Sequence, residues 1–489
     1  MTNRADKAEI RNLESALSRV GGALDEFLKF EHPDAFNNRA QWSEHLGISV
    51  PEVGVGLDEV IEEINQWIIP NGSPITRPGF SSFITTGATT ASAVASAASS
   101  IAAPQRYLGT AFNFLEELSL EWLAEMFNIA NLKGVYSSGG SVANLVALGG
   151  ARQSAFEAIG RDPSADGLDR PTAIYASSEC HHTIQRSAGV LGLGRRSVRT
   201  IACNELGQID MQALQEAVNQ DLANDILPVA IVANAGTTNT GAIDPILKMG
   251  QLAKQHNIWF HVDGAYGLPG MLDERVADRY QGLELADSII VDPHKWLGAS
   301  VGIAATFVRD REILLRAFTQ EPADYLEGSI DQSAEEQPVI EHSLDDFGIP
   351  YFDYGVELSA PCRGIVVWAM LREVGVEGLR ERVIRHNDMA RIIADYAKQH
   401  PKLELLLEPE LSICCFRFST DKVADLDHLN QRLHRRLVRN NVYMPSTTRV
   451  DGKLAIRPCY VGAHHVVEQA HGLLGAVLEL GEQLENEMK

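Results

Sequence analysis

An alternation that begins after Pro171 limits the possible folds more than any other feature of the chain. Three apolar, strand-like runs, AIYASS, SVRTIAC and LPVAIVANAG, are each followed by a helical pattern: through Ile184, from Met211 to Asn219, and from Ile246 to His256. Repeated strand and helix units of this length imply a mostly parallel sheet with helices on both faces. Such sheets collect ligands beyond the carboxyl ends of their strands. Residues with useful chemistry at those ends are the first candidates for function.

Two further runs supply them. Ile258, Trp259, Phe260 and Val262 read as a short buried strand, and Gly264 lets the backbone turn just after Asp263. Ser288, Ile289, Ile290 and Val291 read as another strand, after which Asp292 and Pro293 break the ladder and present His294 and Lys295 on a loop. An acid and a lysine delivered to one crevice suit pyridoxal phosphate: its aldehyde condenses with a lysine amine, and a carboxylate keeps its pyridine nitrogen protonated as an electron sink. On residue types alone, a surface lysine and a capping aspartate give the same pattern. Upstream, in SSGGSVANLVALGGAR, the chain passes from a turn into a helix at Ser141. Glycines beside a helix start let backbone N–H groups approach an anion, so Gly140 and Ser141 are candidates for a phosphate. The same SGGS also serves as an ordinary helix cap.

Composition excludes several function classes. The formal net charge of -23 argues against nucleic acid or an anionic membrane as partner, while leaving a small anionic ligand open. Six cysteines without CxxC pairs or a secreted-domain framework point to reduced thiols in a cytoplasmic protein and imply no metal. The charged N-terminus lacks the apolar core of a signal peptide, so export is not expected. The stretch from Thr85 to Ala103 is uncharged but rich in Ser, Thr and Ala, and reads as a buried, closely packed helix instead of a membrane span. Amphipathic helices over Lys7 to Phe30 and Leu57 to Ile69 make residues 1–75 an N-terminal helical arm. Residues 76–358 form a large domain. A smaller α+β domain, 359–489, carries a helix with Trp368, strands near LSICCFRF and KLAIRPCYV, and a helix from Leu426 to Asn440.

With HVDGAYG followed by PHKW, the chain resembles the group II pyridoxal-phosphate-dependent amino acid decarboxylases, the family of aromatic amino acid and glutamate decarboxylases. The resemblance implies a type I pyridoxal-phosphate fold, like that of aspartate aminotransferase, in a homodimer whose helical arm wraps the partner subunit. It implies that Lys295 carries pyridoxal 5'-phosphate, that Asp263 faces the ring nitrogen, and that His181 of SSECHHTIQ stacks on the ring, with His182 as the adjacent alternative. Gly140 and Ser141 would hold the phosphate, Thr238 of GTTNTG would lie near the ring and Ala265 beneath it. Ser288 and His294 would surround the phosphate, and Ser359 would contribute from the start of the small domain. Asp292 stands where the family often has asparagine. Tyr325 of EPADYLEG matches a loop tyrosine that protonates the reaction intermediate, a position held by phenylalanine in relatives that form aldehydes. Arg457 matches an arginine near the substrate entrance, with structural pairing an equal alternative. The segment SAPCRGIVVW keeps Arg363 and Trp368 but lacks the family's other basic positions. The implied activity is decarboxylation of an L-amino acid to its amine, with an aromatic substrate favoured; acidic or diamino substrates, or transamination on the same fold, are the alternatives.

Overall fold

The computed structural model describes residues 13–29, 39–47, 49–319 and 348–488. The chain divides into two compact units, Met1–Phe80 and Ser81–Lys489. In the first, α1 (Leu13–Leu28), α2 (Arg39–Leu46) and α3 (Leu57–Glu63) are short helices. The chain continues from α3 through a wider turn to Asn71, where Pro70 and Gly72 end the winding. Arg19 on α1 pairs with Asp58 on α3 at 2.6 Å. Leu17, Leu24 and Leu28 on α1 remain exposed.

A two-residue strand, β1 (Phe80–Ser81), lies at the junction. The second unit is built on seven strands: β2 (Lys133–Ser137), β3 (Thr172–Ser177), β4 (Val198–Ile201), β5 (Leu227–Asn234), β6 (Trp259–Asp263), β7 (Ser288–Val291) and β8 (Ala304–Val308). Their spatial order is β2-β8-β7-β6-β5-β3-β4. From β4 to β7 all neighbours are parallel, whereas β8 runs antiparallel to both β7 and β2. Reversing β8 between two strands leaves β2 pointing the same way as β7. The carboxyl ends of β2, β3, β5, β6 and β7 therefore share one edge, and the register sets Asn234 beside Asp263 and Asp263 beside Ile290. The central strands are buried along most of their length, which explains their nearly continuous apolar sequence.

Around the sheet lie α4 (Thr90–Ala102), α5 (Ala111–Met126), α6 (Gly140–Glu157), α7 (Thr183–Val190), α8 (Met211–Ala223), α9 (Ile246–His256) and α10 (Glu312–Phe318). Helix α6 buries Ala143, Val146, Ala147, Leu148 and Ala151, and it closes on α10 because Gly149 has no Cβ: one built there would stand 2.2 Å from the Phe318 ring. The expectation of a buried, closely packed helix over Thr85 to Ala103 holds for one face only. Ser92, Ala95 and Ser99 are buried along one face of α4, but Val94 and Ile101 face outward.

The long α11 (Gly364–Gln399) breaks its helical backbone at Gly375, where φ is +70°. It leads to a smaller sheet containing β9 (Leu403–Leu407), β10 (Cys415–Phe418), β11 (Met444–Val450) and β12 (Lys453–Arg457), with α12 (Leu426–Asn440) and α13 (Val467–Glu487) packed around a separate apolar cluster. Among the described residues, no helix is long and apolar enough to cross a membrane.

Candidate active site

At the shared strand edge a cavity of about 370 Å³ opens between the start of α6, the ends of β5 and β6, and the turn after β7. Asp263, the last residue of β6, is buried there. Its Oδ1 accepts from the backbone N–H of Ala265 at 3.1 Å and its Oδ2 from Asn144 Nδ2 at 3.0 Å. Both bonds fix the carboxylate's orientation at the cavity wall.

The donor Asn144, one turn into α6, is itself oriented by a chain of buried polar groups. Its Oδ1 is 2.8 Å from His261 Nε2, His261 Nδ1 is 2.9 Å from Ser288 Oγ, and Trp259 Nε1 donates to Ser288 Oγ at 2.8 Å. One assignment of protons satisfies the series: indole N–H to hydroxyl, hydroxyl to Nδ1, Nε2–H to the amide oxygen, amide N–H to Asp263. Each donor is engaged in one direction, toward the carboxylate. His261 and Asp263 stand two residues apart on β6 and so share a face. Burial pushes the His261 imidazole down to about 4.

Lys295 sits in a single wound turn, Pro293–Leu297, that replaces the expected open loop, and its own backbone there is non-helical. Its Nζ lies 2.9 Å from Asp292 Oδ2. His294 Nδ1 donates to the carbonyl of Ile303, leaving Nε2 3.9 Å from Asp292. Gly139 (φ +148°) and Gly140 bring the start of α6 against this turn; a Cβ at Gly140 would meet Asp292 Oδ2 at 2.6 Å. Across the cavity, His181 Nδ1 is 2.8 Å from Thr183 Oγ1, which also accepts from Asn144. Burial lowers the His181 imidazole, against the pull of the Asp263 carboxylate. The adjacent His182 is exposed and borders only an outer cleft, so His181 is the one facing the cavity.

The structure thus gathers Lys295, Asp263, His181 and His294 around one space, together with Gly140, Ser141, Thr238 and Ala265. It does not bring Ser288 there. Ser288 begins β7, roughly 10 Å of strand from the site edge, and its hydroxyl serves His261 and Trp259. Ser359 lies exposed in a bend outside the cavity, beside a segment held by the Arg363–Glu357 ion pair. Tyr325 lies outside the described residues. Asn144 and His261 were missed by sequence reasoning. The available signal was a polar pair, one on an otherwise apolar strand and one in an apolar helix, each needing a buried partner.

A lysine and a hydrogen-bonded carboxylate at neighbouring strand ends, next to an uncapped helix start, have the chemistry that pyridoxal phosphate needs. The residues fit that group: the start of α6 carries no side-chain cap, and Ser137 Oγ beside it is a buried polar atom without a hydrogen-bond partner. The sequence profile of the pyridoxal-dependent decarboxylase conserved domain matches residues 41–419, and the chain belongs to that family. It is 26% identical over 460 residues to an aromatic-L-amino-acid decarboxylase of Bacillus atrophaeus, covering 89% of this chain and 88% of the relative. To the cysteine sulfinic acid decarboxylase of Homo sapiens it is 29% identical over 309 residues, 63% of this chain and 59% of the relative. The fold superposes on a crystal structure of Oryza sativa TDC with PLP and tryptamine with a TM-score of 0.87 at 22% identity, covering 99% of both chains. The architecture is the type I pyridoxal-phosphate fold, and the protein is a carboxy-lyase that uses pyridoxal 5'-phosphate.

His261 makes stability depend on pH. An unfolded chain's imidazole titrates near its ordinary value of about 6.5, whereas the folded one stays neutral down to about 4. Below about pH 6.5 the unfolded state binds a proton that the native state refuses, so this stabilising contribution is complete above that pH and is lost as pH falls toward 4. The drop in thermal midpoint between pH 7 and pH 5 should therefore be smaller in His261→Gln than in the parent. An equal drop in both proteins would remove His261 from the account.

Proposed function

We propose that this enzyme decarboxylates an L-amino acid with an aromatic side chain to the corresponding amine. The supporting observation is the cleft of about 620 Å³ that adjoins the cofactor cavity and shares His181, Thr238 and Lys295 with it. Phe83 and Ile84 form an apolar wall there. Arg457, the cation expected to meet a carboxylate, is buried and anchored by four hydrogen bonds, to the carbonyls of Asn239, Phe83 and Thr238 and to Ser446 Oγ. Its role is structural pairing, and an acidic side chain gains little from it. Glu179 in the same cleft favours a cationic side chain as the second reading, a diamino acid.

Bound at this site, pyridoxal phosphate supplies an acceptor for the electron pair left when carbon dioxide departs. Lys295 provides the amine that carries the cofactor. Asp263, oriented by Asn144 and Ala265, would hold a proton at the ring nitrogen and so stabilise the developing charge. His181 and Ala265 would hold the ring from the cavity walls, and the start of α6 with Ser141 and His294 would receive the phosphate. Tyr325 delivers a proton to the substrate's α-carbon after decarboxylation, a role that rests on the sequence resemblance.

Carbon dioxide release and amine product measured across a panel of aromatic, acidic and diamino L-amino acids test the substrate class; preference for an acidic substrate would overturn it. Lys295→Ala should abolish the borohydride-reducible linkage seen by mass spectrometry and reduce turnover by roughly a thousandfold or more. A reduced cofactor found on another lysine would refute the assignment.

Tyr325→Phe should slow amine formation by roughly a hundredfold. Part of the flux should pass instead, with oxygen and water, to aldehyde, ammonia and hydrogen peroxide. Unchanged amine yield without aldehyde under air would assign the proton to another group.

We also propose a homodimer. On α4, Val94 is 64% exposed, and Val301, in the loop tied to α4 through Ser300, Ser92 and Ser96, is 76% exposed. Phe114 on α5 is equally bare at 64%. Sedimentation should give about twice the 53.5 kDa chain mass, and Val301→Glu should shift it toward monomer. A fully active monomer would contradict the proposal.

A further inference from the structure

The turn that presents Lys295 carries a second carboxylate, one that the chemistry just described does not use. Asp292 is 1% exposed, and its backbone N–H donates to the carbonyl of Ala265 at 3.2 Å, which fixes it at the cavity wall. Its Oδ2 pairs with Lys295 Nζ, while its Oδ1 is buried without a hydrogen-bond partner. The carboxylate also lies directly against Gly140 at the start of α6. The charged or titratable groups facing it are Lys295 and His294 from its own turn and His181 from the start of α7.

We propose that Asp292 is a charge brake on cofactor retention: a buried carboxylate set against the start of α6, where it repels an anion held there. The inference rests on the reading that Lys295 carries the cofactor and that α6 receives its phosphate. Repulsion acts only on a ligand that bears the phosphate. Two anions facing each other in a partly buried site, at an effective dielectric constant of about 20, repel enough to change a Kd roughly tenfold or more.

The test compares pyridoxal phosphate with unphosphorylated pyridoxal. Both are titrated by absorbance into the parent protein, Asp292→Asn and Asp292→Ser, each first stripped of cofactor. Release of pyridoxal phosphate from the reconstituted enzymes is then timed against an aldehyde scavenger. Asp292→Asn should lower the Kd for pyridoxal phosphate by about tenfold or more and slow its release. The ratio of the pyridoxal Kd to the pyridoxal phosphate Kd should rise by about the same factor, and Asp292→Ser should move it in the same direction. A ratio that is unchanged or lower in either folded variant overturns the proposal. Borohydride reduction of the parent enzyme keeps the two readings distinct. Label on a lysine other than Lys295 defeats the site assignment, whereas label on Lys295 with an unchanged ratio defeats only the role of Asp292.

Discussion

A carboxylate buried at the end of a β-strand is the constraint from which the rest of this site follows. Removing Asp263 from water costs several kcal/mol unless donors replace the lost hydration. One donor comes from the turn that Gly264 permits, and the other has to come from a different element. That element is α6, and Asn144 reaches Asp263 only if the helix lies close over the sheet. The small residues along α6 and the absence of a side chain at Gly149 allow this approach. Once Asn144 is placed, the start of α6 is carried to the turn that bears Lys295. Feeding the acid and setting the position of the helix start are one packing decision.

The lysine turn is braced from its other side. Trp296, fully buried, stacks on Tyr266 with ring centroids 5.3 Å apart and donates to His386 Nδ1 at 2.9 Å. Burial holds His386 well below the ordinary histidine range, so it remains an uncharged acceptor for the indole. Arg382, also on α11, donates to the carbonyl of Leu297 at 2.7 Å. The next carbonyl, Gly298, accepts from the N–H of Thr89 at the start of α4. Gly298 reaches this position with φ at +87°, a conformation glycine adopts without a Cβ penalty. Helices far apart in sequence thereby meet at the three residues that follow Lys295 and fix the turn that carries it.

What could be read in the sequence follows from how local each signal is. Strand ends were legible because apolar runs stop where Gly264 and Pro293 interrupt them, and Asp263 and Lys295 sit at those stops. The choice between His181 and His182 was not local: it depends on which ring the turn after β3 directs inward, and the structure selects His181. Ser288 was misplaced because its motif gives its neighbours in sequence but not its distance from the sheet edge. It stands at the entry end of β7, where its hydroxyl links Trp259 to His261. Asn144 and His261 escaped notice for the same reason, since neither is distinctive until β6 and α6 are packed together. On α4 the Ser and Ala content correctly marked a closely packed face but gave no sign that Val94 would lie on the opposite one.

A chain with a formal net charge of -23 receives an anionic cofactor, so attraction has to be local and protected from the overall field. Some helices here close their first turn with a side chain: Thr89 accepts from the N–H of Ser92 on α4, and Asp210 accepts from Gln212 and Ala213 on α8. Helix α6 has glycine at that position, and Gly139 provides no side-chain acceptor. A serine or aspartate there would place its oxygen where the first N–H groups point and would compete with any ligand for them. At φ +148° the position also favours glycine over residues with a Cβ. The bare helix start is therefore a feature that sequence, backbone and ligand chemistry all require. It keeps a positive end of the helix dipole available within a few residues of Lys295 and His294. The acidic surface elsewhere has little bearing on this end of the helix, because solvent screens distant charges more strongly than those lining a recessed cavity.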